Sequence, residues 1–345
     1  MAEERVKQAL LYEPADGKLR CLTCERRCLV GEGEAGFCGT RRNDVGRLYS
    51  RIYGDISSIS ANPIEKKPLF HFHPGSRALT VGGWSCNFTC PWCQNYDISK
   101  SPENIGRGRF VDADSLVNLV GHMGCQGTSI SFNEPTLLLE YSLDVFRLAR
   151  EANYYNTYIT NGYMTERALD LLIEHGLNAM NIDIKGPPEV VRRRCGAEAN
   201  VVWRNAMRAK QKGVWVELTT LVIPGINDNE EDLRCIARRV FRELGADTPW
   251  HITGYYPAYR FAEDPYVPAT PTSTLERGRD EAMAEGLRYV YAGNVPGHPY
   301  ENTYCPRCGE VLIERKGYHI LEKRIREDKC CGRCGEPIPI VGTLR

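Results

Sequence analysis

Three cysteines near residue 90 have the spacing of an iron–sulfur site. Cys86, Cys90 and Cys93 form a C-x3-C-x2-C run after the apolar stretch 78–81 and two glycines. Cysteine thiolates hold four-iron clusters, which normally take four of them. Three thiolates bind three irons and leave the fourth open, and an open iron can chelate a small ligand through adjacent amine and carboxylate groups.

Two other interpretations of this triplet are a zinc knuckle and three buried thiols. Structural zinc sites usually combine two C-x2-C units. The triplet contains one such unit, Cys90–Cys93, and it follows a predicted strand. The spacing therefore favours an iron–sulfur cluster over zinc.

The run resembles the cluster motif of the radical SAM superfamily, whose members bind S-adenosylmethionine (SAM). Members of that superfamily usually have an aromatic residue before the third cysteine, and Trp92 occupies this position. The resemblance implies that Cys86, Cys90 and Cys93 ligate a [4Fe–4S] cluster and that Trp92 lies near the adenine of SAM.

The same resemblance implies a reaction. A low-potential donor such as flavodoxin or ferredoxin would supply one electron, and SAM would split into methionine and a 5′-deoxyadenosyl radical. That radical would abstract hydrogen from a C–H bond. In such chemistry the cofactor performs the difficult step, while the protein supplies position and excludes water.

Phrases along the chain extend the resemblance to the AmmeMemoRadiSam group of radical SAM proteins, which are relatives of the pyruvate formate-lyase activating enzymes. The phrases are CLTC at 21–24, GFCG at 36–39, NPIEKKPL at 62–69, CPWCQN at 90–95, NEPT at 133–136 and GNVPGH at 293–298. The phrase at 62–69 suggests no chemistry by itself. A structural link between the N-terminal region and the barrel is its simplest explanation.

The elements that must position these residues alternate between strand and helix. Apolar segments predict strands at 78–82, 127–131, 156–160, 178–184, 214–221 and 249–254. Apolar stripes of helical period predict helices at 112–122, 137–152, 165–175, 197–212, 230–244 and 273–286. Alternation of this kind predicts parallel strands with crossover helices. Six strands predict a partial (β/α)6 TIM-like barrel, the fold of radical SAM cores, because eight units would be needed for a full barrel.

The expected domain organisation has three parts. A Cys-rich module occupies residues 1–75, the barrel occupies 76–290, and a zinc-ribbon-like module occupies 291–345. The boundaries follow the cysteine groups and the proline- and glycine-rich segments beside them.

Polar residues follow the predicted strands, and functional residues of parallel α/β folds gather at those C-terminal ends. Glu134 follows the second strand in an Asn-Glu-Pro-Thr phrase. It resembles the Gly-Gly-Glu-Pro motif that holds the SAM amine, with Phe132 and Asn133 in place of the glycines. The alternative is that Glu134 caps the next helix, since an acid favours a helix N-terminus.

The next two strands end in further candidates for SAM contacts. Asn161 follows the third strand, where the resemblance implies a place in the SAM pocket and an Asn-Gly turn is the alternative. Asp183 and Lys185 end the fourth strand and share one face of it. They bind the SAM carboxylate or ribose, or they pair with one another.

Five aromatic or basic residues are candidates for substrate contacts. Tyrosines at 163, 255, 256 and 259 either line the substrate mouth or pack the barrel, and His251 on the sixth strand either touches a ligand or is structural.

Two further groups of cysteines predict metal sites. Cys305, Cys308, Cys331 and Cys334 form two C-x2-C-Gly knuckles, which favour a zinc ribbon over an auxiliary iron–sulfur cluster. The N-terminal set is less diagnostic, because its C-x2-C-x3-C-x9-C spacing suits zinc, an iron–sulfur cluster or free thiols. Its members are Cys21, Cys24, Cys28 and Cys38.

Composition limits the partners and the compartment. The 345 residues include 44 basic and 44 acidic side chains, so no net charge draws the chain to nucleic acid or anionic membrane. Apolar runs fall short of the ~20 residues that span a bilayer, and the N-terminus lacks an apolar signal core. A cytoplasmic protein is therefore expected, in which the 15 cysteines are more readily metal ligands than disulfides.

Three functions fit these features. The first is a radical SAM enzyme that abstracts hydrogen from a small molecule. The second is an activase that generates a glycyl radical on a partner protein. The third is a non-catalytic zinc-binding adaptor, which would neither cleave SAM nor show cluster absorbance.

Overall fold

The N-terminal region is built from short antiparallel strands. The computed structural model describes residues 3–343. Strands in this region are β1 (Lys7–Gln8), β2 (Tyr12–Ala15), β3 (Lys18–Cys21), β4 (Leu29–Val30), β5 (Arg41–Asp44), β6 (Arg47–Ser50) and β7 (Asp55–Ile56). The first six form two three-stranded sheets, with β6 between β1 and β5 and with β3 between β2 and β4. Cys21 ends β3, and Cys24, Cys28 and Cys38 lie outside the strands of these sheets.

An eight-stranded sheet forms the centre of the molecule. Its strands are β8 (Ser58–Pro63), β9 (Arg77–Gly82), β11 (Gly127–Ile130), β12 (Tyr155–Thr160), β13 (Ala179–Asp183), β14 (Trp215–Val222), β15 (Trp250–Gly254) and β16 (Val290–Gly293). Between β9 and β11 along the chain, β10 (Arg109–Phe110) pairs with β7 instead. The seven strands from β9 to β16 are parallel in chain order, and β8 lies antiparallel to β9 at one edge.

The partial TIM-like barrel is confirmed, with one parallel strand more than a (β/α)6 unit has. All six predicted strands are present, and β16 adds a seventh. Both additions to the prediction are short or polar: β16 has four residues, and β8 reads Ser-Ile-Ser-Ala-Asn-Pro on an edge. The sequence of β8 lacks the apolar run that signals a buried parallel strand, and the apolar run of β16 is short.

Helices cross over between the parallel strands, as predicted. They are α1 (Tyr96–Ser99), α2 (Ala113–His122), α3 (Leu139–Glu151), α4 (Glu166–His175), α5 (Pro188–Val190), α6 (Ala199–Gln211), α7 (Glu230–Arg239) and α8 (Thr272–Ala284). Side chains of Asp112, Thr165 and Asn229 cap α2, α4 and α7 by accepting backbone N–H bonds. These caps satisfy donors that the first helical turn leaves free, which fixes where each helix begins.

The strand register brings the C-terminal ends of the strands to one edge of the sheet. Val81 pairs with Ile130, and Thr160 pairs with Ile182. Farther along the sheet, Val222 pairs with Gly254. The loops that follow these strands therefore meet, although they are far apart in the sequence.

Residues 66–72 form a floor segment inside the barrel. The buried carboxylate of Glu217 on β14 accepts the backbone N–H groups of Phe70 and His71 at 2.9 and 2.8 Å. Asn181 on β13 donates to the carbonyl of Pro68 at 2.7 Å. These charge-assisted and amide bonds pin a chain segment that makes few backbone bonds of its own.

The C-terminal region is a small antiparallel sheet with its own core. Its strands are β17 (Thr303–Tyr304), β18 (Val311–Lys316) and β19 (His319–Lys323), and β18 lies in the middle. The buried guanidinium of Arg315 donates to the carbonyl of Phe70 at 2.9 Å, which joins this region to the floor segment. None of the described helices is long and apolar enough to cross a bilayer.

The central sheet takes residues from beyond both predicted domain boundaries. β8 precedes residue 76, and β16 extends past residue 290. The division into modules 1–75, 76–290 and 291–345 remains a prediction.

Candidate functional site

A cavity of about 490 Å³ lies where the parallel strands end. All eight residues predicted for the cluster and SAM line it: Cys86, Cys90, Cys93, Trp92, Glu134, Asn161, Asp183 and Lys185. The loops after five different strands contribute to its wall. The structure therefore brings together residues that are spread over a hundred positions of the sequence.

The three cysteines of the triplet line the cavity, and their sulfur atoms do not converge on a single point. They do not all come within 4.8 Å of one another in the described structure. Four ligands around one zinc ion, at Zn–S of about 2.3 Å, would bring their sulfurs within about 3.8 Å. The wider arrangement suits a cluster of several irons, which is larger than a single ion.

Cys195 is a fourth thiol beside this site that the sequence did not assign to it. Its fully buried sulfur lies 3.4 Å from that of Cys90. This contact and burial raise the pKa of Cys90, and burial raises the pKa of Cys86 to about 12. Thiols held neutral in this way become ligands when a metal supplies the compensating positive charge.

The loop after β11 contacts residues 83–95, the loop after β9 that bears the cysteine triplet and is called the cluster loop below. Asn133 accepts the N–H of Gly83 at 3.2 Å and donates to the carbonyl of Ser85 at 2.8 Å. Phe132 has a φ of +74°, in the left-handed region where the related motif has glycine. Asn133 thus replaces a glycine with a side chain that ties two loops together.

Glu134 already has protein partners for both carboxylate oxygens. One oxygen accepts the N–H of Thr136 at 3.0 Å and the hydroxyl of Thr160 at 2.7 Å. The other accepts the N–H of Asn161 at 2.9 Å. Burial raises the pKa of Glu134, while these donors oppose the rise. The helix-capping alternative is thus seen in the structure, and the SAM-amine role remains a prediction.

Asn161 points at the cluster loop. Its side-chain amide donates to the Asn87 amide oxygen at 2.7 Å and lies 3.8 Å from the Cys86 sulfur. The Asn161 amide oxygen in turn accepts the N–H of Tyr163 at 3.0 Å. This residue positions the loop that bears the first cysteine of the triplet.

Asp183 and Lys185 form an ion pair of 2.9 Å in the cavity wall. Burial acts to lower the pKa of Lys185, but the charge and hydrogen bond of Asp183, together with Cys90 and Cys195, raise the pKa above its ordinary value. The lysine is therefore charged at neutral pH. The pairing alternative is thus seen in the structure, and contact of the pair with the SAM carboxylate or ribose remains a prediction.

Trp92 is 2 % exposed and packs against Phe261, with the ring centroids 6.2 Å apart. The residue before it is held by the N–H of Arg260, which donates to the carbonyl of Pro91 at 3.1 Å. The indole therefore forms a rigid apolar wall of the cavity, which is the surface that a nucleobase would need.

Among the cavity-lining residues that the sequence analysis did not predict, three come from outside the central run of the chain. They are Lys67 from the floor segment, Asn294 after β16 and Tyr318 from the β18–β19 turn. The phrases NPIEKKPL and GNVPGH contain two of them, so the signal was present without a chemical interpretation. Tyr318 had none.

The other candidate substrate contacts lie elsewhere. His251 is buried beneath the cavity, where its Nε2 lies 2.7 Å from Glu217, so its structural role is the one observed. Tyr163 packs edge-on against Phe88, and Tyr255 is 1 % exposed in the core. Barrel packing accounts for these side chains.

The C-terminal cysteines converge on one point. The sulfurs of Cys305, Cys308, Cys331 and Cys334 all lie within 4.8 Å of one another. Two of the separations are 3.5 and 3.7 Å, close to the ~3.8 Å expected around one tetrahedral zinc. The neighbouring Cys330 is turned toward the carbonyl of Asp328 at 3.6 Å.

Backbone amides around these knuckles act to lower the pKa of the thiols, while burial and neighbouring cysteines leave the pKa of Cys305 raised to about 12. Burial acts to raise the pKa of Cys331, but the N–H groups of Cys334 and Arg333 and bonds from nearby cysteines lower it to about 7. Gly309 and Gly335 have φ of +72° and +74°, and each returns its N–H to the first cysteine of its knuckle at 3.0 Å. The two turns thus have the same conformation.

The N-terminal cysteines share a small enclosed cavity of their own. It is lined by Cys21, Cys24, Cys28 and Cys38. Asn87 of the cluster loop forms part of the wall, and Ser85 donates to the carbonyl of Cys38 at 2.7 Å. In the described structure no three of these sulfurs lie mutually within 4.8 Å. The four cysteines are gathered beside the cluster loop but more loosely than the C-terminal set.

The chain has a relative that matches it over nearly its whole length and others that match about half of it. An uncharacterised protein of Methanocaldococcus jannaschii is 43% identical over 340 residues, which cover 97% of this chain and all of that protein. The isethionate sulfite-lyase activating enzyme of Nitratidesulfovibrio vulgaris is 32% identical over 49% of this chain and 55% of its own length. The GTP 3′,8-cyclase of Chlorobaculum tepidum is 26% identical over 42% of this chain and 44% of its own length.

The superfamily match covers the part of the chain that forms most of the cavity. Residues 85–235 match the Radical SAM superfamily, and they include the cysteine triplet, Glu134, Asn161 and the Asp183–Lys185 pair. Membership implies a [4Fe–4S] cluster and SAM as cofactors. The chain belongs to the radical SAM superfamily.

Proposed function

We propose that this enzyme reductively cleaves SAM and uses the product to abstract hydrogen from a substrate. The proposal is supported above all by one observation: the triplet, Trp92 and four polar candidates for SAM contacts line the same cavity at the strand ends. When bound, a [4Fe–4S] cluster on Cys86, Cys90 and Cys93 supplies the electron that splits SAM into methionine and a 5′-deoxyadenosyl radical.

The chain's own residues would bind and orient SAM and would exclude water from the cavity. Trp92 presents an apolar face to the adenine, and Lys185 offers a charged donor for the methionine carboxylate or ribose. Glu134 holds the loops after β11 and β12 together through its hydrogen bonds and lines the cavity, where we propose that it also receives the SAM amine. Tight packing around these groups keeps a radical from reacting with solvent or protein.

The reaction needs a low-potential reductant, and we propose flavodoxin or ferredoxin for this role. Its substrate is a small molecule or a partner protein. The relatives support both classes, because the activating enzyme is named for action on another enzyme and the cyclase is named for a nucleotide. A glycyl-radical signal in a co-purified protein would select the activase.

Two further metal sites belong to the proposal. The C-terminal cysteines hold structural zinc, supported by their sulfur separations of 3.5 and 3.7 Å. The N-terminal cysteines hold zinc or an auxiliary iron–sulfur cluster. Elemental analysis of variants lacking Cys24 and Cys38 would distinguish iron from zinc there.

The direct test is anaerobic reconstitution with iron, sulfide, SAM and dithionite, scored for 5′-deoxyadenosine. Wild type is expected to form it, and Cys90→Ala to lose at least about a thousandfold in rate. Cys125→Ala, which removes a buried thiol on the chain before β11, is the matched control and should retain the activity. Formation at the native rate by Cys90→Ala would contradict the assignment.

A further inference from the structure

One buried cation in the cavity has no anionic partner. Lys67 is 3 % exposed, and it lines the cavity from the floor segment. Its ammonium lies 4.6 Å from the centre of the Phe132 ring. Among the described residues, no carboxylate acts on the charge of Lys67; burial and the like charge of Lys66 are what its surroundings supply. A buried charge without a counter-ion is costly, so such a group is retained where a ligand supplies the missing charge.

The other charges of the cavity are already engaged. Lys185 pairs with Asp183, and Lys100 donates to the carbonyl of Phe88. Glu134 is occupied by donors from its own and the next loop. Lys66 is exposed at the mouth. The free positive charge inside the cavity therefore belongs to Lys67.

The backbone next to Lys67 is fixed by hydrogen bonds from the strands of the barrel. The next residue, Pro68, is held through its carbonyl by Asn181, and Phe70 and His71 are held by the buried Glu217. This anchoring leaves the lysine little freedom to swing into solvent. Burial and the neighbouring Lys66 lower the pKa of Lys67 to about 7, and a bound anion would raise it again.

Lys67 also lies on the part of the wall that the superfamily match does not cover. The match runs over residues 85–235, and Lys67, Asn294 and Tyr318 all lie outside it. Groups that serve a cofactor common to the superfamily are expected within the matched region, which contains the Asp183–Lys185 pair proposed to contact SAM. The remaining wall is where the substrate of this particular enzyme would be selected.

We infer that Lys67 binds a carboxylate or phosphate group of a small anionic substrate in the cavity. This inference rests on the proposed function and names the chemical class of its substrate. An ammonium on a fixed backbone recognises such a group as a point charge with up to three N–H donors.

The first test measures the reactivity of Lys67 in the reconstituted full-length protein. Formaldehyde and cyanoborohydride methylate neutral lysine amines, and peptide mass spectrometry compares Lys67 with Lys66 in the same sample. In SAM-loaded protein, phosphate or succinate is expected to reduce methylation of Lys67 at least about fivefold, with Lys66 changing less than about twofold, relative to chloride at equal ionic strength.

The second test uses variants and the melting temperature of the SAM-loaded protein. Phosphate or succinate should raise the melting temperature of wild type and of Lys67→Arg, because ligands that bind the folded state stabilise it. Lys67→Met should lose this response and keep its SAM affinity within about twofold. Lys66→Met is the matched control for general charge effects and should retain the response.

Two results would overturn the inference. If SAM alone blocks methylation of Lys67 and Lys67→Met weakens SAM binding about tenfold or more, the lysine serves the cofactor. If neither anion alters methylation or melting, the cavity has no anion site at this residue. Formation of 5′-deoxyadenosine is measured in the same samples, so a failure of the proposed function would be seen separately.

Discussion

The C-terminal cysteine cluster and the cysteine triplet arrange their thiols in two different ways. Four C-terminal sulfurs converge within 4.8 Å on turns that point backbone amides at them. The sulfurs of the triplet are spread along the wall of a cavity. The first arrangement has the size expected of a site for one ion, whereas the second leaves room for a larger cofactor and a ligand beside it. This difference in geometry is why we propose a structural role for the C-terminal site and a catalytic role for the triplet.

The largest effect on stability is expected at the C-terminal cluster. Replacing Cys305 and Cys331 by serine should remove one zinc per chain and lower the melting temperature by more than about 10 °C, because structural zinc contributes directly to folding. Zinc content and differential scanning calorimetry check this. Cys330→Ser is the control, and unchanged zinc and melting in the double variant would show that the cluster is not a zinc site.

A smaller effect is expected where Asn133 ties the loops around the triplet. Asn133→Ala removes two hydrogen bonds, to Gly83 and Ser85, and should cost about 1–2 kcal/mol in the free energy of unfolding. Iron incorporation on reconstitution should fall with it. Asn95→Ala removes one bond to the carbonyl of Phe132 from an exposed residue and should cost less than about 0.5 kcal/mol. Equal costs for both variants would deny Asn133 a positioning role.

Lys67 provides a pH-dependent test in the protein without cofactors. Burial places its folded pKa at about 7, below the ordinary value of 10.5, so the unfolded chain holds the proton more tightly. The resulting destabilisation is fully present below pH 7 and disappears as the pH rises toward 10.5. Lys67→Met should therefore stabilise the protein by about 1–2 kcal/mol at pH 6 and by almost nothing at pH 10.

Chemical denaturation at the two pH values measures that change. Lys66→Met is the appropriate comparison, since Lys66 is exposed and its substitution should shift stability little at either pH. If Lys67→Met raises the free energy of unfolding equally at pH 6 and pH 10, the buried charge of Lys67 is not the cause of the destabilisation.

The smallest effect is expected for Cys195, the neighbour of Cys90. Its sulfur is too close to that of Cys90, at 3.4 Å, for the two to bind different corners of one cluster. Cys195→Ala should therefore keep full iron content and cost about 1 kcal/mol through lost packing. A loss of iron equal to that of Cys90→Ala would make Cys195 a ligand, and the iron assumed to be open would then have a protein thiolate.

Most of the fold was predictable because parallel strands and crossover helices have strong local signals. The six predicted strands and the helices α2 to α4 and α6 to α8 appear close to their predicted positions. β8 and β16 were missed because an edge strand and a four-residue strand are stabilised by their neighbours rather than by their own composition. The triplet was predictable for a similar local reason, since its spacing lies within eight residues.

The roles of single side chains depended on contacts between distant segments. Glu134 caps its own helix and links two loops, His251 supports the floor segment through Glu217, and Cys195 lies against Cys90. Lys67 could not be recognised because burial and the absence of a counter-ion among its neighbours are properties of the folded chain. No periodicity in the sequence reports either of them.

By itself, the sequence determined the family, the strand–helix alternation and the cysteine spacings, because each depends on residues close together in the chain. Tertiary structure decided which thiols meet at one point and which surround a cavity. It also decided which charges are paired and which one remains free for a ligand. Distances between segments set the electrostatics of a buried site, and those distances exist only once the chain is folded.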